Sequence, residues 1–144
     1  MEKTSLGQVE NFFKACSDQT RLRILNLLAA ENEVCVCFIV DVLGTNQPKI
    51  SRHLAYLKKM GLVETRKDGL RVNYRLASQL SVPGQRILEC LSACFNGIEE
   101  LSADVQKLRR IRNGINSAEK HEIKLEFSRE EIPVRSEQIE IELL

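Results

Sequence analysis

Two thiols stand one residue apart at Cys35-Val36-Cys37, two more stand four apart at Cys90 and Cys94, and Cys16 is the fifth cysteine. An odd number of cysteines in a chain that reads as cytosolic points to thiols used for a metal or for redox chemistry, not to a disulfide framework. The two pairs differ in geometry. Residues two apart in an ideal helix point about 200° from each other, so Cys35 and Cys37 within a helix could grip one ion only by unwinding it. Residues four apart share a face with Cβ atoms about 5–6 Å apart, so Cys90 and Cys94 suit a shared ion as they stand. Stereochemistry alone favours the second pair. Strain at the first is what a switch needs, because a ligand moves an equilibrium only through unequal affinity for its two states. Each cysteine can also pack as a small hydrophobe. Packing is the preferred reading for Cys16, and for Cys90 and Cys94 within a long apolar seam. Two thiols in three residues at a helix start serve packing poorly, which leaves Cys35 and Cys37 as the candidate metal ligands.

A second chemistry begins ten residues further on. The net charge of +1 hides an asymmetry. Between Asn46 and Arg75 eight Lys/Arg face only Glu64 and Asp68, whereas from Glu119 onward eight Glu outnumber four Lys/Arg. A cationic block of this kind is the footprint of an anionic partner, although charge alone fits a solvated basic face equally well. Gln47, Ser51, Arg52 and His53 on one side of a helix suit the major groove of double-stranded DNA, since Gln reads adenine, Arg reads guanine and Ser adapts to either. Lys49 and Tyr56 stand beside them. Arg66, Lys67 and Arg71 at a hairpin tip would neutralise phosphates and supply affinity without sequence information. The histidines are His53 and His121, so a Cys–His catalytic dyad is not expected and the chain does not read as an enzyme. No organic cofactor is expected.

These residues need a frame to hold them. The chain is 144 residues long and 43% hydrophobic, enough for one domain with a real core. No run of eighteen apolar residues and no signal-peptide core is present, so a cytoplasmic protein with no membrane partner is expected. Gln8 to Ala15 reads as a short amphipathic helix with Val9, Phe12 and Phe13 inward. Ser17 or Asp18 can cap a second helix carrying Leu22, Ile24, Leu25, Leu27 and Leu28. Val34 to Leu43 forms a third, closed by Gly44. Thr45 or Asn46 caps a fourth, with Pro48 in its first turn and Ile50, Leu54 and Leu57 inward. Leu62–Lys67 and Leu70–Leu76 form two strands about Asp68-Gly69. A long helix then runs from Val82 to about Arg112, with Ile87, Leu91, Cys94, Ile98, Leu101, Val105 and Leu108 as a seam that a partner subunit would share. The expected fold is mainly α with a small β-hairpin, a winged helix-turn-helix made dimeric through its terminal helices. Residues 1–113 form the DNA-binding and dimerisation domain. Residues 114–144 form an acidic tail whose weak alternation (Ile123, Leu125, Phe127; Ile139, Ile141, Leu143) fits edge strands or a mobile segment.

The stretches Asp18-Gln-Thr-Arg-Leu-Arg-Ile-Leu, Val34-Cys-Val-Cys, Gln47-Pro-Lys-Ile-Ser-Arg-His-Leu, Gly61-Leu-Val and Arg71-Val-Asn-Tyr-Arg-Leu, in that order, resemble the ArsR/SmtB metalloregulatory repressors, and within them the arsenical-resistance type. The resemblance spans roughly residues 8–110. It implies a homodimeric winged helix that binds operator DNA and releases it when arsenite, or antimonite, binds cysteine thiolates. One position departs from the pattern: Val40 stands where that type carries a third cysteine. Arsenite prefers three sulfurs by the family's chemistry, so its third ligand here is Cys16, a C-terminal cysteine or an exogenous thiol, or the site is two-coordinate. A thiol redox sensor of the same fold, or a sensor of cadmium, lead or zinc, is the alternative, with zinc usually taking four ligands. A pure interaction module would not need the basic helix and wing.

Overall fold

The structure is a computed structural model describing residues 3–126, with side chains described through residue 114. Its elements follow in the order α1 (Leu6–Ala15), α2 (Gln19–Ala30), β1 (Val34–Cys35), α3 (Val36–Leu43), α4 (Gln47–Lys59), β2 (Val63–Asp68), β3 (Arg71–Leu76), α5 (Val82–Phe95) and α6 (Glu99–Glu126). Local chemistry sets most of these boundaries. The Asp18 carboxylate accepts the Arg21 N–H and caps α2, and the Asn46 side chain accepts the Lys49 N–H and caps α4, with Pro48 in its first turn. Ile24, Leu25, Leu27 and Leu28 of α2 meet Ile39 and Val42 of α3, Ile50, Leu54 and Leu57 of α4, and Leu62 and Val63 in a single buried core.

In the hairpin Asp68 lies opposite Arg71, which leaves Gly69-Leu70 as a two-residue loop. Gly69 has φ 61°, the positive value that the first loop position of a type II′ turn demands. A third strand was not anticipated. β1 pairs with β3, Val34 opposite Tyr74 and Cys35 opposite Asn73, giving the order β1-β3-β2. The third helix therefore starts at Val36 instead of Val34, and Cys35 is extended, with φ −66° and ψ 141°. Pairing with the wing supplies hydrogen-bond partners that an uncapped first turn of helix would lack.

The long terminal helix is also corrected. Asn96 is extended and Gly97 takes φ 83°, so the helix breaks and α6 turns back across the core. Leu101 and Leu108 are buried, with α6 packed on α2 and α3. Arg23 fastens it there, its Nε and Nη2 donating to Asp104 at 2.8 and 2.9 Å, while Asp104 is only 5% exposed. Leu101, Val105 and Leu108 of the expected intersubunit seam thus cover the chain's own core, and Ile87 and Leu91 of α5 pack against it as well. α5 packs on α1 and α2 but leaves Val82, Cys90 and Cys94 exposed, and Phe13, expected inward, is 63% exposed. α6 continues past residue 114 to Glu126, so Ile123 and Leu125 are helical, not in an edge strand. Phe127, Ile139, Ile141 and Leu143 lie outside the described residues.

Candidate nucleic-acid interface and thiol site

α3, a three-residue turn at Gly44-Thr45-Asn46, and α4 form a helix-turn-helix, with the β2–β3 hairpin as a wing beside it. Burial of Ile50, Leu54 and Leu57 turns the opposite side of α4 outward. Lys49 and Arg52 are exposed there, and Gln47 and Ser51 are partly exposed. Arg52 folds back along the helix, its Nε donating to the Pro48 carbonyl at 3.3 Å.

His53 and Tyr56 are placed differently from the outward face on which they were expected. His53 is half-buried against the start of α2, where Arg21 Nη1 lies 3.3 Å from its Nδ1 and Asp18 Oδ1 lies 4.0 Å away. Burial holds the imidazole below its ordinary pKa against the pull of Asp18, and the Arg21, Lys49 and Arg52 charges act in the same direction as burial. The neutral ring then accepts from Arg21 at Nδ1. Arg21 also donates to the Ala15 and Lys14 carbonyls at 2.7 and 2.9 Å and stacks over the Tyr56 ring at 4.7 Å. His53 and Tyr56 therefore clamp α4 to the start of α2. Arg21 was missed as the hub of this clamp, although the Asp18–Arg21 cap spacing was visible.

The wing is less uniformly cationic than its composition. Arg66 is held bidentately by Glu33 at 2.6 and 3.2 Å, and Arg75 by Glu64 directly across the ladder at 2.6 Å. Lys67 and Arg71 are exposed near the tip. Nothing in the sequence marks Glu33 and Arg66 as partners across 33 residues.

The thiols divide sharply. Cys35 Sγ and Cys37 Sγ are 2.8 Å apart, with Cys35 only 6% exposed. The extended Cys35 backbone brings the sulfurs together without unwinding any helix, which corrects the expectation drawn from ideal helical geometry. β1 ties Cys35 to the wing, and Cys37 sits in the first turn of α3, the helix before α4. Around them, Arg112 of α6 donates to Glu31 at 3.2 Å and to the Glu33 carbonyl, and lies over the Phe38 ring at 5.9 Å. Arg109 donates to Glu31 at 2.8 Å. The donor set fits a soft ion at two positions. Among the described residues no group of three or more His, Cys, Asp or Glu is gathered for a metal, and Val40 packs against the core. Cys16 also packs there, with burial pushing its thiol pKa up against the pull of Arg21. Cys90 and Cys94 are exposed on α5, and the hydrogen bond that the Cys94 thiol donates to the neighbouring Cys90 raises the Cys94 pKa.

A basic helix-turn-helix with a paired wing is a DNA-binding architecture, and the comparisons with known proteins agree. Residues 18–65 match the bacterial regulatory protein family arsR. The arsenical resistance operon repressor of Escherichia coli K12 is 41% identical over 98 residues, covering 68% of this chain and 82% of that protein. The cadmium resistance transcriptional regulatory protein CadC of Listeria innocua is 44% identical over 66 residues, 46% of this chain and 56% of that one. Among solved structures, HlyU from Vibrio cholerae superposes with a TM-score of 0.55 at 35% identity, covering 66% of this chain and 98% of that chain. The homodimeric winged helix-turn-helix domain of Mb0332 from Mycobacterium bovis gives 0.53 at 34% identity, covering 65% and 89%. The chain belongs to the ArsR family of metal-responsive transcriptional repressors. Its relatives are transcriptional regulators, not enzymes. Among the described residues no helix is long and apolar enough to cross a membrane.

Proposed function

We propose that this protein binds double-stranded operator DNA as a homodimer and is released when arsenite is captured by Cys35 and Cys37. The carrying observation is the 2.8 Å approach of these two sulfurs at the junction of a strand paired to the wing and the helix preceding α4. The 41% identity to an arsenical resistance repressor supports the choice of ion. Trivalent arsenic supplies a thiophilic centre that exchanges oxygen for sulfur.

Gln47, Ser51 and Arg52 read base edges, each good pair worth about 1–3 kcal/mol of discrimination. Lys49, Lys67 and Arg71 meet phosphates, and Arg66 does so through its balance with Glu33. His53 and Tyr56 act indirectly, by holding α4 against α2. Two α4 helices related by a two-fold axis would enter successive major grooves about 34 Å apart. The bare face of α5 with Phe13 is the surface a second subunit would cover, and the similar winged helix-turn-helix domain of Mb0332 is homodimeric. Bridging the two thiolates fixes Cys35 relative to α3, so the strain passes to β3 through β1 and to α4 through the short turn. Release requires the bound ion to favour the DNA-incompetent arrangement by several kcal/mol, about 5.5 for complete reversal.

The test is a mobility-shift titration of the wild-type protein on its own promoter region with arsenite, antimonite and cadmium. Release by arsenite at lower concentration than by cadmium supports the reading. Release by cadmium alone transfers it to the cadmium-sensing relatives, and no release by any of the three refutes it.

A further inference from the structure

Beside the thiol pair lies a cleft of about 230 Å³, bordered by Cys35, Glu33, Phe38, Asp68, Arg71 and Arg112. It is formed where β1, the wing tip, α3 and α6 converge. Its volume is below the range of about 300 Å³ upward that drug-sized ligands occupy, so it suits a molecule the size of an amino acid. Two carboxylates and two guanidinium groups line it together, a mixed-charge wall that fits a zwitterion better than a simple anion or cation. Cys35 forms part of the same wall, and the described residues gather no third metal-binding side chain around the two sulfurs.

The geometry points to a co-ligand site: the cleft seats a small zwitterionic thiol of the cysteine type, whose sulfur completes the coordination of arsenic held by Cys35 and Cys37. This rests on the arsenite reading above. The ligand's carboxylate pairs with a guanidinium of this wall and its ammonium group with a carboxylate, sharing Glu33 and Asp68 with the Arg66 they already hold. The chemistry is ligand exchange without redox. For each sulfur, one As–S bond forms and one As–O bond breaks, and the thiol proton leaves with the displaced hydroxide as water. Arsenous acid and three thiols thus give a trithiolate and three waters. Val40, packed against the core, supplies no third sulfur, so that ligand comes from solution through the cleft and the repressor responds to arsenite and the thiol jointly.

Arsenic-edge X-ray absorption and native mass spectrometry on the full chain without DNA test this, using one arsenite per Cys35–Cys37 pair with and without free cysteine. Expected are two sulfurs and one oxygen around arsenic without cysteine, and three sulfurs plus a ternary protein–arsenic–cysteine mass with it. Arg71→Gln should raise the cysteine concentration needed by about tenfold, and 2-mercaptoethanol, which lacks both charges, should need a similar excess on the wild type. Three sulfurs without any added thiol would overturn the proposal, because the chain or a second subunit would then supply the ligand. Equal response to cysteine and 2-mercaptoethanol, unaffected by Arg71→Gln, would overturn the seat. Two sulfurs under every condition would overturn the co-ligand while leaving the Cys35–Cys37 reading intact. Arsenic that stays sulfur-bound in a C35S/C37S double variant would instead defeat that underlying reading.

Discussion

Cys35 with Cys37 and Cys90 with Cys94 are both neighbouring thiol pairs, yet they are built into the molecule in different ways. The second pair has the better helical spacing and stands exposed on α5, with no described tie to the DNA-facing elements. The first pair violates helical spacing, and the fold resolves this by making Cys35 a strand residue. That strand is hydrogen-bonded into the wing, and its flanking Glu33 holds Arg66 of the wing on one side and receives Arg112 of α6 on the other. Sulfur proximity is common to both pairs. Mechanical connection belongs to the first, and connection is what a ligand at a thiol pair would need in order to change α4 and the hairpin.

The connection can be broken from the far side. Asp104→Asn removes the charge partner of Arg23 in a largely buried bidentate pair, so urea unfolding should show a loss of about 3 kcal/mol, with α6 no longer fastened beside the first thiol pair. Glu89→Gln breaks the exposed Arg86–Glu89 pair beside Cys90 and should leave the unfolding midpoint unchanged. Equal losses from both would remove the distinction between a braced and an unbraced region.

Salt dependence sharpens the comparison at the wing. Lys67→Ala should flatten the slope of log affinity against log salt by about one unit. Arg66→Ala should flatten it less, because Glu33 already balances that charge at 2.6 Å. Glu33→Gln should steepen it and tighten operator binding, since it releases Arg66 toward phosphate. Identical slopes for the Arg66 and Lys67 variants would show that the Glu33 tie has no consequence on DNA.

The smallest effect concerns the clamp under α4. His53 has its folded pKa depressed, chiefly by burial. No penalty exists well above the unfolded value of about 6.5. As the pH falls through that value the unfolded chain takes up a proton that the folded chain resists, so stability is lost on the acid side. His53→Gln should remove that part of the decline between about pH 7 and 5, measured by denaturant midpoints at a series of pH values. An unchanged pH profile would mean that His53 titrates as an ordinary surface residue.

Much of this architecture was legible in the sequence wherever one signal governed one element. Asp18 and Asn46 capped the helices they preceded, the spacing of Ile50, Leu54 and Leu57 fixed the inward side of α4, and the Asp68-Gly69 turn announced the wing. β1 escaped because two residues are too few to show alternation, so the apolar run Val34–Leu43 read as one helix. The break after Phe95 carried a visible Asn96-Gly97 turn signal, but the apolar repeat continues through it and dominated the reading. Leu101 and Leu108 were rightly apolar and wrongly assigned to a partner, since periodicity shows that a face is buried and not by what. His53 was counted with the outward polar side of α4, although it faces Asp18 and Arg21 across a helix boundary. The choice of Cys35 and Cys37 followed from their crowding and the family resemblance; the ladder to Asn73 and the Glu33–Arg66 bridge are long-range contacts with no local trace.

The most direct test of the central claim is operator release titrated with arsenite for four single variants, Cys35→Ser, Cys37→Ser, Cys90→Ser and Cys94→Ser, each first shown to bind the operator. The first two are expected to bind DNA as the wild type does and to remain bound at arsenite concentrations that free it completely, while the latter two retain most of the response. Normal release from the Cys35 and Cys37 variants, with loss in the Cys90 or Cys94 variant, would place the sensor on α5 and contradict the assignment.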